Sequence, residues 1–168
     1  MNKFTSLIER IAYTNPNLFV NEIQGIAHLS WYERCYILAD SLKTTNDVDV
    51  APLIARHLIQ EFTEIYIGVI KQKILDIKFC ERKADLIRTL KGFNCTSIVF
   101  ELVNVLSSEN YEQAFAAYTV LANADFELTN DLKLIIKKQV AEINHLAFCV
   151  NKKQIRIAIE DIFENMQI

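Results

Sequence analysis

The amino-acid sequence predicts an all-α fold: a single domain of about eight to nine helices, arranged as a bundle or as a short right-handed stack of helix hairpins. Three observations predict it. There are only three Gly and two Pro in 168 residues, too few to punctuate the many short strands of a β or α/β fold. Apolar residues make up 51% of the chain, and over long segments they recur at i, i+3, i+4 and i+7. Capping residues stand where those segments begin and end. The length fits one domain that buries enough surface to fold without disulfides.

The first helix is expected from Lys3 to Tyr13, with Phe4, Leu7, Ile8, Ile11 and Ala12 on one face. Asn15-Pro16 ends it and starts a second helix that turns Phe19, Ile23, Ile26 and Ala27 inward, because Asn caps and Pro tolerates the first helical position. Ser30-Trp31-Tyr32-Glu33 has the form of a capping box and opens a third helix with Cys35, Leu38, Ala39 and Leu42 inside. Thr44 to Asp49 reads as a polar loop, with Asp49 as the next cap and Pro52 in the turn that follows. The longest helix is expected from Val50 to Lys78, with a narrow polar stripe of His57, Gln60, Glu61, Glu64, Gly68 and Lys71. Ile65, Ile67 and Val69 alternate as in a strand, but the unbroken stripe favours helix. A fifth helix, Cys80 to Lys91, stops at Gly92, which takes the left-handed conformation readily. The sixth spans Ser97 to Leu106 and the seventh Asn110 to Ala124. After a loop from Asp125 to Asn130, the eighth runs to about Val150 and the last covers Lys152 to Met166.

Tyr111, Ala114, Tyr118, Leu121 and Ala122 resemble the second helix of a tetratricopeptide repeat. The preceding helix lacks the repeat's Trp, Gly and Tyr positions, and nothing similar recurs one period of about 34 residues away. The pattern is that of generic helix packing, and no family carries residues over to this chain.

Composition narrows the function classes. A formal net charge of −3 argues against direct nucleic-acid binding, which rests on neutralising phosphates. Cys35, Cys80, Cys95 and Cys149 form no CxxC pair and are expected as reduced, mostly buried thiols of a cytoplasmic protein. Glu9 and Arg10 interrupt any signal-peptide core. Uncharged stretches such as Gly92 to Phe100 fall far short of the roughly 20 residues of a membrane span. No membrane partner is expected, and no cofactor: glycines only at 25, 68 and 92 leave no phosphate-cradling loop.

Three constellations invite chemistry. Glu142 and His145 are spaced as ExxH, which on a helix puts carboxylate and imidazole on one face, as in di-iron bundles. The second ExxH that such a site needs is missing, so the motif is read as a solvated helix face and no metal is expected. His57, Glu61 and Glu64 share a stripe on which a carboxylate could orient an imidazole as a base; an exposed i,i+4 pair is the favoured account. Cys80 and Cys95 lie near expected helix starts, where thiol pKa values fall, but neither has a nearby His in sequence. An enzyme would need a pocket joining His57 or His145 to carboxylates of another helix. We therefore expect a non-enzyme.

The charge map is uneven. Residues 1–70 carry a net −3 and residues 71–91 a net +4. From Gly92 to Leu132 there is no Lys or Arg, although the chain has 18 of them. That stretch holds Glu101, Glu109, Glu112, Asp125, Glu127 and Asp131, net −6. Residues 133–156 return to +5 and the last twelve are −3. Asp125-Phe126-Glu127 sets an aromatic between two acids, the pattern of an apolar anchor in a charged rim. The competing account is an acidic face balanced by neighbouring basic blocks through intramolecular pairs. Two function classes follow. One is an inhibitor of the immunity or antitoxin kind, neutralising a basic toxin such as a nuclease through Glu101, Glu109, Glu112, Asp125, Phe126, Glu127 and Asp131. The other is a helical scaffold or adaptor that binds a protein partner in an apolar groove between helices.

Overall fold

The computed structural model describes residues 4–62, 67–75 and 83–168. Over these residues the chain is all-α, with ten helices and no strand. It divides into two compact units, Met1–Arg82 and Lys83–Ile168.

The first unit contains α1 (Thr5–Ala12), a 3-10 turn (Pro16–Leu18), α2 (Phe19–Ile26), α3 (Trp31–Thr44), α4 (Val50–Phe62) and α5 (Ile67–Leu75). Helix α3 lies at its centre and packs on α1, α4 and α5. Its capping box is complete. The Ser30 oxygen accepts from the Glu33 amide, and the Glu33 carboxylate accepts from the Ser30 amide at 3.0 Å. The inward positions Ile37, Leu38 and Leu42 are fully buried beside Ile54, Leu58 and Ile70. Ser41, also buried, donates its one hydroxyl proton to the Ile37 carbonyl of its own helix at 2.7 Å, and the Ile8 carbonyl of α1 lies 3.2 Å away as a weaker, shared acceptor. The cap of α4 is Asp47, not Asp49. Its carboxylate accepts from the amides of Asp49 and Val50 at 2.9 and 3.0 Å, because the cap's oxygen must reach amides two and three residues ahead. The expected helix from Val50 to Lys78 is described as α4 and α5; Thr63 to Tyr66 and the residues from Asp76 onward lie outside the described residues. Ile67–Leu75 is helix rather than strand.

The second unit holds α6 (Lys83–Arg88), α7 (Val99–Leu106), α8 (Tyr111–Leu121), α9 (Asn130–Ala141) and α10 (Lys152–Met166). Cys80, the expected start of the fifth helix, lies outside the described residues; the helix stops at Arg88, short of the expected Lys91, because the backbone tightens into i→i+3 turns that lead to Gly92, whose φ of 84° is left-handed as expected. Helix α8 is central, against α6, α7 and α10. Asn110, Thr129 and Asn151 cap α8, α9 and α10, each accepting from a backbone amide of the first turn. Helix α10 runs parallel to α8: the Tyr118 hydroxyl donates to Asp161, and one turn on the Asn165 amide donates to the Leu121 carbonyl. Helix α9 runs the other way, for Lys133 near its start donates to the Gln167 carbonyl beyond the end of α10.

The expected eighth helix, to Val150, is too long by about two turns. It stops at Ala141. Asn144 turns its amide back onto the Glu142 carbonyl at 3.1 Å, a local bond that competes with helix. Leu146 is then buried, and Phe148 meets Phe115 and Tyr118 at centroid distances of 5.5 and 5.1 Å. Docking these apolar side chains outweighs two more turns of helix.

Candidate protein-binding surface

The residues from Glu101 to Asp131 all fall in the second unit, and the structure sorts them. Glu101, Glu112 and Asp131 each stand in the first turn of a helix, α7, α8 and α9 respectively. There the helix dipole favours an anion, so each has a local structural reason to be acidic. Glu112 also forms an ion pair with Arg88, which Asp85 shares at 2.7 Å. Desolvation opposes the Arg88 charge, but the hydrogen bonds that the guanidinium donates to Glu112 and Asp85, with their charges, outweigh it and hold its pKa above the ordinary value. The balanced-face account therefore holds for Glu112.

It does not extend to Asp125 and Glu127. Both are exposed, neither stands in a helix's first turn, and neither forms an ion pair with another described residue. Their backbone is pinned. The Asp125 amide donates to the Phe93 carbonyl at 3.2 Å, the Cys95 amide donates to the Asp125 carbonyl at 2.9 Å, and the Glu127 amide donates to the Thr96 hydroxyl at 2.7 Å. Two carboxylates thus stand in solvent on a segment that loses little conformational freedom when a partner binds. The C-terminal end of α8 lies directly before them and adds partial negative charge. Phe126, between them, is half-buried and lines a groove with Leu128 and Met166, whose lining Glu127 shares with Lys133 without forming an ion pair. Its ring is partly covered by its own unit.

The seven residues do not form one patch. Glu109 and Glu112 lie at the start of α8, while Asp125 and Glu127 lie past its end. The eleven residues of α8 set these groups about 16 Å apart at 1.5 Å per residue. Glu101 and Asp131 belong to the second group, because α7 is antiparallel to α8 across a short loop and α9 starts right after the acidic loop.

Comparison with family models, with curated proteins and with solved structures finds no match.

The other candidates are placed as follows. Glu142 and His145 lie in the loop after α9, so the one-face geometry of a helical ExxH is not formed. They line a groove together with Glu109, all three exposed. Among the described residues no group of three His, Cys, Asp or Glu is placed to hold a metal ion. His57 Nε2 lies 3.1 Å from Glu61, whose other oxygen is 3.6 Å from Arg34 Nε. Arg34 in turn donates to the Leu29 carbonyl at 3.1 Å. Glu61 thereby links α4 to the start of α3; Glu64 lies outside the described residues. Cys35 and Cys95 are buried and Cys149 is half-buried. Burial pushes the Cys149 thiol's pKa up, which keeps it protonated. No helix among the described residues is long and apolar enough to cross a membrane.

Two acids outside the expected stretch belong with the loop. Asp161 and Glu164 of α10 line a cleft against Tyr118 and Asn123 of the α8 end. The signal for them in the sequence is the net −3 of the last twelve residues.

Proposed function

We propose that this chain is a non-enzymatic protein-binding module that captures a basic protein through the acidic end of its second unit, centred on Asp125 and Glu127. The observation that carries the reading is that these two carboxylates are exposed, unpaired among the described residues and fixed on a backbone pinned by three hydrogen bonds. Nothing in the local structure requires acids there. Preplaced charge of one sign steers a partner of the other sign and fixes its register. A toxin that cleaves nucleic acid needs a positive cleft to hold phosphates. Within the binding class, then, an inhibitor of the immunity or antitoxin kind, acting in the cytoplasm of a bacterial cell, is the reading that an acidic helical protein fits best. The same acidic surface repels nucleic acid itself.

The experiment is affinity capture with the purified chain at low and at high salt, beside a variant carrying Asp125→Lys, Glu127→Lys and Asp131→Lys. A basic protein retained by the wild type at low salt, released at high salt and missed by a variant of unchanged circular dichroism supports the proposal. Equal capture by wild type and variant removes the acidic loop from any role.

A second reading, a helical adaptor, has one specific observation in its favour. Ile143, Ile155 and Ile159 line an apolar groove beside α10, flanked by Lys152 and Arg156, and Val150 nearby is 92% exposed. Binding there would persist at high salt, because apolar burial is not screened.

A further inference from the structure

We infer that the cleft between α8 and α10 is a receptor for one basic side chain, a guanidinium or ammonium group, of the protein partner; this rests on the reading above that the partner is basic. Six residues line the cleft: Tyr118, Ala122, Asn123, Asp161, Glu164 and Asn165. Its walls are rich in acceptors and nearly stripped of donors. The Tyr118 hydroxyl donates to Asp161 Oδ2 at 2.6 Å. Burial, and then the Asp161 bond, push the Tyr118 pKa up to about 12, so the phenol keeps that proton at neutral pH. Asn165 Nδ2 donates to the carbonyls of Leu121 and Ala124 at 3.0 and 2.9 Å, which occupies both its hydrogens. Asn123 Nδ2 donates to the Thr119 carbonyl at 2.8 Å. Among the lining groups, the second oxygen of Asp161, the Glu164 carboxylate and the amide oxygens of Asn123 and Asn165 are acceptors left over by these bonds.

No Lys, Arg or His lines the cleft, and neither Asp161 nor Glu164 forms an ion pair with a described residue. The C-terminal end of α8 and the last turns of α10 frame it, so two helix dipoles add negative potential. The missing components are a positive charge and several hydrogen-bond donors in one group. A guanidinium supplies five donors in a plane and an ammonium three. A hard divalent cation fits less well, since it wants about six or more oxygens and only two carboxylates are present. The cleft adjoins Asp125, because Asn165 holds the carbonyls of Leu121 and Ala124 immediately before it. One partner surface can therefore meet the acidic loop and insert a side chain here.

The test is a titration of the 15N-labelled chain with Nα-acetyl-arginine amide, followed by NMR at the side-chain amides of Asn123 and Asn165. Nα-acetyl-citrulline amide, of the same shape without the charge, is the control. We expect a saturable shift with the arginine probe and none with citrulline. Glu164→Gln alters an exposed carboxylate with no partner among the described residues and is expected to weaken the probe without changing the melting temperature. Adding Asp161→Asn should lower affinity by at least about tenfold, or 1.4 kcal/mol. Asp125→Lys with Glu127→Lys should abolish partner capture yet still leave a saturable probe shift at Asn123 and Asn165, weakened only by long-range repulsion, which separates the cleft from the loop. No saturable shift at Asn123 and Asn165, an equal shift with citrulline, an undiminished shift in Glu164→Gln, or tighter binding of calcium chloride at the same signals would each overturn the inference.

Discussion

Asn165 closes the end of one helix from another. Its amide donates to the carbonyls of Leu121 and Ala124, which the end of α8 would otherwise leave to water. Asn165→Ala should destabilise the chain by about 1–2 kcal/mol, read from urea denaturation followed at 222 nm. Ser30 does comparable work in the first unit through its capping box, and Ser30→Ala should cost about 1 kcal/mol in the same assay. Tyr118 offers a pH signature. Its folded pKa, about 12, lies above the ordinary tyrosine value near 10. The native state therefore favours the protonated phenol. The resulting stability is full below the unfolded value and is lost as pH rises from there through the folded one. In an absorbance titration at 295 nm Tyr118 should ionise late, and Tyr118→Phe should remove that late contribution.

At the scale of elements, what was legible in the sequence is what local chemistry decides. The capping box of α3, the left-handed Gly92 and both ends of α10 were readable, because each depends on residues within one turn. Asp49 was mistaken for Asp47 because two acids two positions apart look alike until the loop's course is known. The end of α9 was not readable either. Ile143, Leu146 and Ala147 continue a helical pattern, and only the docking of Phe148 onto Phe115 and Tyr118 shows why the helix stops. The acidic loop was legible as a run without Lys or Arg, but its division between the two ends of α8 was not. The cleft was less legible still. Asp161 and Glu164 sit three apart on an amphipathic helix and look like an ordinary wet face; the parallel course of α8 and α10 brings Tyr118 and Ala122 opposite them. The core of this helix pair is sensitive: Ile162 is fully buried, and Ile162→Ala should cost about 2–5 kcal/mol, seen as a lower urea midpoint.

At the scale of the whole molecule, acids without an ion-pair partner among the described residues gather at one end of the second unit. Asp125 and Glu127 stand on the pinned loop, Asp131 opens α9, and Asp161 and Glu164 line the adjoining cleft. The opposite end holds Glu109 and the Arg88–Glu112 pair, where charge is partly compensated. A surface of this kind acts on the approach and register of a basic partner more than on apolar burial. The most direct measurement of that claim is the dissociation constant for the captured partner as a function of sodium chloride concentration, for the wild type and for the Asp125→Lys, Glu127→Lys, Asp131→Lys variant. The account expects the wild-type affinity to fall steeply with salt and the variant to bind at least about a hundredfold more weakly at low salt. An affinity that is flat in salt and the same in both proteins would contradict it.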